Sequence, residues 1–535
     1  MPGITYDVAI IGYGPTGVTA ANLLGARGLR VLVVERDPDI YLRARAISTD
    51  EEVVRIWQQA GLADRLNAEM LPGGPVRFVD ADGDTFLEMT PDSRGCGHHP
   101  QQFIYQPAVE KTLRDGVERF PNVELALEHE CLRVASDATG VNLMLADLRT
   151  DTFRRERVSY VIAADGGSSP TRGQLGIGFE GKTYEDRWVV IDTEVVQEWP
   201  GHDSLRFHCD PARPTVDCPT PLGHHRWEYP VPVGKDEKEL VTDAAVWKVL
   251  GHQGITDEQV KILRAVVYSH HVRFADRWRV GRVFLAGDAA HVMPPWIGQG
   301  MSAGVRDAAN LCWKLAGVLD GSLPEEVLNS YQTERMPHVR EVTERAVKTG
   351  NIITQRQPAL ATARNHALRT LTKLSAVSNW LREHRWIPTA FYPEGFLAPR
   401  PKSGLRPVVS AVGHQIPQPW VLDENGKRER LDDVLAGQWT LLSLGGVGSS
   451  GPWAAVGVPK LGLQVAGSVA AADSIVDTEN SLVVWMRTKG ATTVVVRPDG
   501  FVYAADGPNT ALAPPPRGLN IAVTTSPTTN FGGLS

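Results

Sequence analysis

Three glycines, Gly12, Gly14 and Gly17, stand in a G-x-G-x-x-G spacing between an apolar run from Tyr6 to Ile11 and another from Val18 to Ala26. These residue types at this spacing suit a pyrophosphate. The first glycine permits a tight turn, the second lets the backbone approach the phosphates, and the third lets a helix pack against a strand. Pro15 and Thr16 complete the turn, and the helix that follows would offer free N–H groups and a positive dipole end. Glu35 closes the next run, RVLVVE, at the position where a carboxylate accepts hydrogen bonds from a ribose 2′-hydroxyl and repels a 2′-phosphate; Arg36 follows it. This pattern predicts dinucleotide binding but does not separate NAD from FAD.

Two further acids sit in turns after apolar strands. Asp165 lies in SYVIAADGGSSPTRGQLGI, with Ser169 and Arg172 close behind, and Asp288 lies in RVFLAGDAAHVMPPWIGQGM. A carboxylate at a turn only accepts hydrogen bonds, which suits a hydroxyl-rich ligand. The loop Pro294-Pro295-Trp296-Ile297-Gly298-Gln299-Gly300 then leads into a helix on which Val305, Ala308, Cys312, Leu315, Ala316 and Leu319 recur at helical spacing. Its N-terminus falls near Gly300 and Met301.

The elements that must position these residues read as strand, helix and strand at the N-terminus, a strand before Asp165, and a strand, loop and helix around Asp288. That is an α/β architecture. The chain has 535 residues, 42% hydrophobic and 22% charged, enough for about three domains. The formal net charge of -7, with Lys and Arg scattered among acids, gives no footprint for nucleic acid. Cys96, Cys131, Cys209, Cys218 and Cys312 form no C-x-x-C and no paired framework, so a reducing, cytoplasmic setting without disulfides or zinc is expected. The uncharged stretch from Val8 to Ala26 carries four glycines and a proline, so neither a signal nor a membrane segment is expected there. The pairs His98-His99, His224-His225 and His270-His271 invite a metal reading, but adjacent residues on a strand point to opposite faces and chelate poorly. No metal site is expected, and His291 is read as a packed loop residue.

The three ordered segments around Gly12, Asp165 and Asp288 resemble the signatures of the group A flavoprotein monooxygenases, the FAD-dependent aromatic hydroxylases, in the branch of the 3-(3-hydroxyphenyl)propionate and phenol hydroxylases. The resemblance implies a Rossmann-like, glutathione-reductase-type FAD domain, a β-sheet substrate domain and a thioredoxin-like C-terminal domain. It implies that NADH or NADPH reduces FAD, that O₂ forms a flavin C4a-hydroperoxide, and that a phenolic substrate is hydroxylated ortho or para to its hydroxyl. By the same resemblance Asp288 binds the ribityl chain, and Asp165 and Arg172 belong to a loop serving FAD and the visiting nicotinamide. Arg45 and Gln106 contact FAD or its phosphates, Pro295, Gly300 and Met301 approach the flavin, and the Pro294 carbonyl meets the substrate hydroxyl. Trp296 stands where family members often carry Phe, and with Gly298 it is expected beside the reacting ring. No side chain is identified as an acid or base. A small phenol and O₂ are the expected partners, with no nucleic acid and no membrane; a homodimer is compatible with the resemblance.

Because the motifs are far apart, the FAD domain is expected to be discontinuous, from 1–74, 102–180 and 281–355. Segments 75–101 and 181–280 would form the substrate domain, with His208, Arg226, Trp227, Tyr229 and Tyr268 as cavity candidates chosen by region; ordinary strand packing is the alternative for each. Residues 356–402 read as a helical connector and 403–535 as a thioredoxin-like tail without cysteines, expected to be structural and dispensable for FAD retention. Two other readings stay open: another FAD oxidoreductase of the same fold, such as an oxidase or halogenase, or a non-catalytic FAD-binding scaffold. The W-x-W-x-I-P motif of such halogenases is not present, since Trp386-Ile-Pro has Trp380 as its nearest upstream tryptophan.

Overall fold

The computed structural model of the chain describes residues 3–41, 46–231, 234, 236–382, 388–400, 402–403, 406–407, 409–446, 451–507 and 510–521. The chain opens with β1 (Tyr6–Ile11), α1 (Pro15–Gly25) and β2 (Val31–Glu35), followed by α2 (Glu51–Gln59). Two strands, β3 (Val76–Val79) and β4 (Thr85–Met89), precede α3 (Gln106–Val117), β5 (Val123–Leu127), the hairpin β6 (His129–Ser136) and β7 (Val141–Asp147), and the long β8 (Thr152–Ala163). Next come β9 (Phe179–Val195), β10 (Leu205–His208), β11 (Thr215–Thr220), β12 (His224–Pro230), α4 (Asp243–Gly251) and β13 (Val260–Ala275). The chain returns through β14 (Val283–Leu285) and β15 (His291–Val292) to α5 (Gly300–Leu319) and α6 (Ser330–Ile353).

The first layer is a sheet in which β14, β8, β1, β2 and β5 lie side by side, all parallel, with the β6–β7 hairpin antiparallel on β8. Helices cover it: α1 packs closely against α5, and α3 against α1. Both faces being buried, β1 and β2 are continuous apolar runs, and Val8, Ala9, Ile10, Val31, Leu32 and Val33 are fully buried. The polar group of a buried Trp57 is satisfied across this packing, its indole N–H donating to Thr19 Oγ1 at 3.0 Å. Left unpaired, such a donor would cost about 1–3 kcal/mol.

The second layer is an eight-stranded sheet in the order β15, β13, β9, β12, β11, β10, β3, β4, antiparallel except where β10 runs parallel to β3. Thus β3 and β4, although they precede α3 in the chain, join the strands after β8. One face of this sheet turns toward the dinucleotide layer. The other is covered by α4, around a cluster that includes Val189, Ile191, Trp227, Tyr229, Val246 and Leu250.

The stretch expected as one connecting helix forms two, α7 (Pro358–Leu371) and α8 (Ser375–Arg382). The turn between them, closed by the Thr372 N–H on the Leu368 carbonyl at 3.0 Å, lets Leu368 and Leu381 reach the same cavity wall. The C-terminal sheet has the strands β16 (Trp420–Leu422), β17 (Arg428–Arg430), β18 (Thr440–Leu444), β19 (Lys460–Gln464) and β20 (Ser474–Asp477), then α9 (Ser481–Thr488), β21 (Thr493–Val496) and β22 (Val502–Ala505). Its order is β17, β16, β20, β19, β18, β21, β22, with β20, β19 and β18 parallel and β21 and β22 antiparallel beside them.

This C-terminal sheet is bolted to the first layer by buried charges. Arg55 on α2 meets Asp432 through two hydrogen bonds of 2.6 and 2.7 Å and donates to the Ile416 carbonyl at 2.7 Å. Arg497 meets Glu334 at 2.9 Å, where Lys314 also arrives at 2.7 Å, and Asp499 pairs with Arg497 at 2.5 Å. Among the described residues no helix is long and apolar enough to cross a membrane. All five cysteines are buried and free.

Candidate active site

A cavity of about 1120 Å³ runs between the two layers. Its first wall is the glycine turn. Gly12 has φ +98°, a conformation that excludes a side chain, and a Cβ at Gly17 would collide with the Gly12 carbonyl. Gly14 differs: a Cβ there would meet nothing within 4 Å, because the residue faces the cavity. Pro15 and Thr16 line the same wall at the N-terminus of α1, whose N-cap, Gly14, makes no side-chain capping bond. A cradle with open space above one glycine, and helix N–H groups behind it, fits a pyrophosphate.

At the tip of β2, Glu35 is held by two backbone donors, Tyr13 N–H at 2.8 Å and Asp37 N–H at 2.9 Å. The carboxylate is thereby fixed beside the glycine turn. Arg36 extends outward with its side chain 70% exposed. Arg45 lies outside the described residues.

The Gly287-Asp288 turn lines the cavity through Asp288. What positions this turn escaped the sequence reading. Asp307, fully buried on α5, accepts from Gly287 N–H at 3.0 Å, from His291 Nε2 at 2.6 Å and from Arg335 Nε at 2.9 Å. Burial alone would raise the Asp307 carboxyl, but His291 and Arg335 outweigh it and hold the group below its ordinary range. His291, packed on Trp278 with ring centroids 5.0 Å apart, is thus a fixed partner of Asp307.

Asp165 and Arg172 stand behind the wall instead of on it. Asp165 accepts from Ser169 Oγ at 2.5 Å and from Thr171 N–H at 3.1 Å, which caps the short helix Pro170–Gln174. Arg172 donates to the Gly167 carbonyl at 2.8 Å and the Ala289 carbonyl at 3.0 Å, and lies 3.7 Å from the Phe179 ring centroid. It ties the Asp165 loop to the Asp288 turn. Neither side chain lines the cavity, although Ala164 and Gly166 do.

The loop before α5 forms the next wall. Pro295, Trp296, Gly298, Gly300 and Met301 all line the cavity; the expectation that Pro294 meets the substrate there is corrected, because the residue is buried and turned away from the cavity lining. Gly298 has φ +64°, and Gln299 leaves the N-terminus of α5 without a side-chain cap. A twenty-residue helix therefore aims its N–H groups at this wall. Trp296 sits edge-on to Trp188 with centroids 4.6 Å apart. Gln106 opens α3 on the adjoining side, where its Oε1 accepts from Ala46 N–H at 2.8 Å and its Nε2 donates to Glu110 at 2.7 Å.

A charged cluster that the sequence reading missed adjoins this loop. Arg306 donates to Asp50 at 2.6 Å, to Glu52 at 2.6 Å and to Gln299 at 3.0 Å, and all four residues line the cavity. Burial works against the Arg306 charge, yet Asp50 and Glu52 more than offset it and raise its pKa. An Asp before a helix reads as an ordinary N-cap, a role Asp50 also fills by accepting from Val53 N–H at 3.2 Å.

The roof sheet sorts the substrate candidates by parity. Register pairs Val190 with both Glu228 and Val266, and Asp192 with both Arg226 and Arg264. Val190, Val216, Phe207, Arg226, Glu228 and Tyr268 therefore share the cavity face. The expectation for His208, Trp227 and Tyr229 is corrected: they point to the opposite face. His208 meets the buried Asp217 at 2.5 Å, Trp227 donates to Gln253 at 2.8 Å, and Tyr229 OH donates to the Leu240 carbonyl at 3.2 Å. A residue one step along a strand points the other way, so choosing by region gathered both faces. On the cavity face Arg226 is held by Asp192 at 2.6 Å, while the buried Tyr268 hydroxyl has no protein partner. Burial raises the Glu228 carboxyl against the opposing pull of Arg226.

A glycine turn and a fixed carboxylate at the ends of a parallel sheet, roofed by a largely antiparallel sheet over one cavity, have the geometry of a dinucleotide-dependent enzyme. Comparison with known proteins makes the class definite. A family model described as FAD binding domain matches residues 5–346, and one described as HcaD C-terminal domain matches residues 413–514. Two curated relatives are each named 3-(3-hydroxy-phenyl)propionate/3-hydroxycinnamic acid hydroxylase. The one from Burkholderia cenocepacia (strain HI2424) is 34% identical over 520 residues, covering 93% of each chain. The one from Comamonas testosteroni is 32% identical over 563 residues, covering 95% of each. Among solved structures, the flavin-dependent monooxygenase PieE, in complex with FAD and substrate, superposes with a TM-score of 0.79 at 24% identity, covering 94% of this chain and 96% of that one. OxyS anhydrotetracycline hydroxylase from Streptomyces rimosus gives 0.73 at 26% identity, covering 95% and 96%. The chain belongs to the FAD-dependent aromatic hydroxylases, flavoprotein monooxygenases with FAD as cofactor.

Proposed function

We propose that this enzyme hydroxylates a phenolic acid of the 3-(3-hydroxyphenyl)propionate type, ortho or para to its hydroxyl, consuming NADH or NADPH, a proton and O₂ and releasing NAD(P)⁺ and water. The observation that carries this reading is the single cavity in which the glycine turn, the N-terminus of α5 and the cavity face of the roof sheet meet. The named activity of relatives about one-third identical over nearly the whole chain supports the substrate class.

Bound FAD would supply the two-electron chemistry and the activation of oxygen; the chain's residues bind, orient and exclude water. Gly14, Pro15 and Thr16 would hold the pyrophosphate, Glu35 the adenosine ribose, and Asp288 the ribityl hydroxyls, with Arg36, Arg45 and Gln106 as further contacts. Asp165 and Arg172 would serve by fixing the loops behind the cofactor. The N–H groups at Gly300 and Met301 would stabilise negative charge on the pyrimidine end of the ring. Trp296, Gly298, Arg226 and Tyr268 would face the substrate.

In domain terms, 1–74, 102–180 and 281–355 form the FAD domain in this reading, 75–101 and 181–280 the substrate domain, 356–402 the connector and 403–535 the tail. The run β19, β18, β21, β22, parallel then antiparallel, is the order of a thioredoxin-like core, which supports that assignment without any thiol chemistry. Steady-state oxidation of NADH and NADPH by the FAD-loaded protein, over hydroxyphenylpropionates, simple phenols and polycyclic phenols, tests the reading. Turnover confined to polycyclic phenols would move the substrate class, and no stimulation by any phenol would remove it.

A further inference from the structure

The cavity does not end at the roof sheet. Its wall continues into the C-terminal segment, where the loop before β16 contributes His414 and Gln415 and the last turn of α9 contributes Trp485 and Lys489, and along α6, which contributes Lys348. The loop at 414–417 is pinned there because Gln418 donates to the Cys96 carbonyl at 2.6 Å and its N–H to the Gly95 carbonyl at 2.7 Å. Lys489 Nζ lies 3.1 Å from His414 Nε2 and 5.9 Å from the Trp485 ring centroid, so its ammonium is oriented by a neutral ring and an indole. His414 packs against Phe391 with centroids 4.4 Å apart and the rings tilted by 32°. Burial first, then Lys489 and Arg400, lower the His414 pKa to about 4, so the imidazole is neutral and accepts from Lys489. Glu341, which also lines the cavity from α6, is paired with Arg345 at 2.7 Å.

An oriented, partly desolvated ammonium beside an indole face, in the wall of a cavity that leads to the flavin cradle, suits an anion carried on an aromatic framework. We propose that Lys489, oriented by His414 and assisted by Lys348, forms an anion-capture site at the cavity mouth. Two ligands of this enzyme carry that chemistry: the carboxylate of an aryl-alkanoic acid and the phosphates of the nicotinamide cofactor. The carboxylate arm rests on the phenolic-acid reading above.

Binding by isothermal titration to FAD-loaded protein separates the sources without requiring turnover. Three probes serve: 3-phenylpropionate, its uncharged analogue 3-phenylpropanol, and NAD⁺. Lys489→Met is expected to weaken one of the two anions by about tenfold, the loss of one charge-assisted hydrogen bond, while 3-phenylpropanol and FAD content stay as in the unaltered protein. Lys348→Met should weaken the same anion by less. Loss confined to 3-phenylpropionate identifies the substrate carboxylate, and loss confined to NAD⁺ identifies the cofactor phosphate. Equal weakening of the alcohol and the acids, or no change in any probe, overturns the site. Because 3-phenylpropionate carries no phenol, this result stands apart from whether phenols are hydroxylated.

Discussion

Asp307 accepts a hydrogen bond from Gly287 N–H at 3.0 Å, so a buried carboxylate on α5 fixes the turn that presents Asp288 to the cavity. The same carboxylate neutralises Arg335, which is 1% exposed, at 2.9 Å. Asp307→Asn keeps the shape but strands Arg335, and breaking a buried pair in this way costs about 3–5 kcal/mol. A lower melting temperature together with loss of flavin on dialysis is expected. Retention and melting equal to those of the unaltered protein would remove the positioning role.

Glu35→Ala should weaken FAD binding by about tenfold or more, since one or two charge-assisted hydrogen bonds of ~1.5–3 kcal/mol each are lost. Because Glu35 also receives Tyr13 N–H and Asp37 N–H, the glycine turn should loosen as well. A flavin fluorescence titration measures the affinity, and an unchanged dissociation constant contradicts the assignment.

The tail reads from sequence as dispensable for FAD retention, but its removal would take Asp432 from Arg55 and Arg497 from Glu334, both buried pairs. A truncated chain is therefore expected to be insoluble, and Arg497→Met alone to cost about 3–5 kcal/mol, with part recovered in the double variant with Glu334→Gln. Denaturant unfolding of the four proteins measures the coupling; additive losses would mean the two groups act independently.

The same cluster has a pH signature. Burial would raise the Glu334 carboxyl, but Arg497 and Lys314 hold it down to about 2. A depressed carboxylate contributes stability that is present above its unfolded value, about 4.3, and is lost as pH falls toward its folded one. Thermal unfolding between those limits should fall more steeply with acid in the unaltered protein than in Glu334→Gln. Parallel curves would contradict the ion pair.

Local sequence carried the dinucleotide layer, because strand, glycine turn, helix and acid are contiguous and each step has a short-range cause. The roof was less legible. In HHRWEYP neither parity is solvent-exposed: the buried Arg226 and half-buried Glu228 face the cavity, and His225, Trp227 and Tyr229 lie beneath the opposite cover, so no apolar–polar alternation says which face is inner. The resemblance puts Arg172 in a loop serving FAD and the nicotinamide, and its guanidinium donates to two carbonyls that only the folded chain brings together. The cavity contributions of Asp50, Arg306, His414 and Lys489 depend on contacts between segments far apart in the chain, which spacing cannot convey.

Gly350 on α6 lies against Trp296, and a Cβ there would collide with the indole. Gly350→Ala should displace Trp296 from its edge-on contact with Trp188 and change the relative kcat/KM for phenols of different width, with FAD affinity unaltered. Competition assays with paired phenols measure this, and an unchanged ratio would mean that Trp296 does not shape the substrate wall.

The most direct measurement of the central claim is the origin of the oxygen atom in the product. The FAD-loaded enzyme is supplied with NAD(P)H, a hydroxyphenylpropionate and heavy-isotope O₂, and the product is analysed by mass spectrometry. A flavoprotein aromatic hydroxylase places one heavy oxygen on the ring and matches product to NAD(P)H consumed. Peroxide release with unmodified phenol, or oxygen taken from water, would contradict the account.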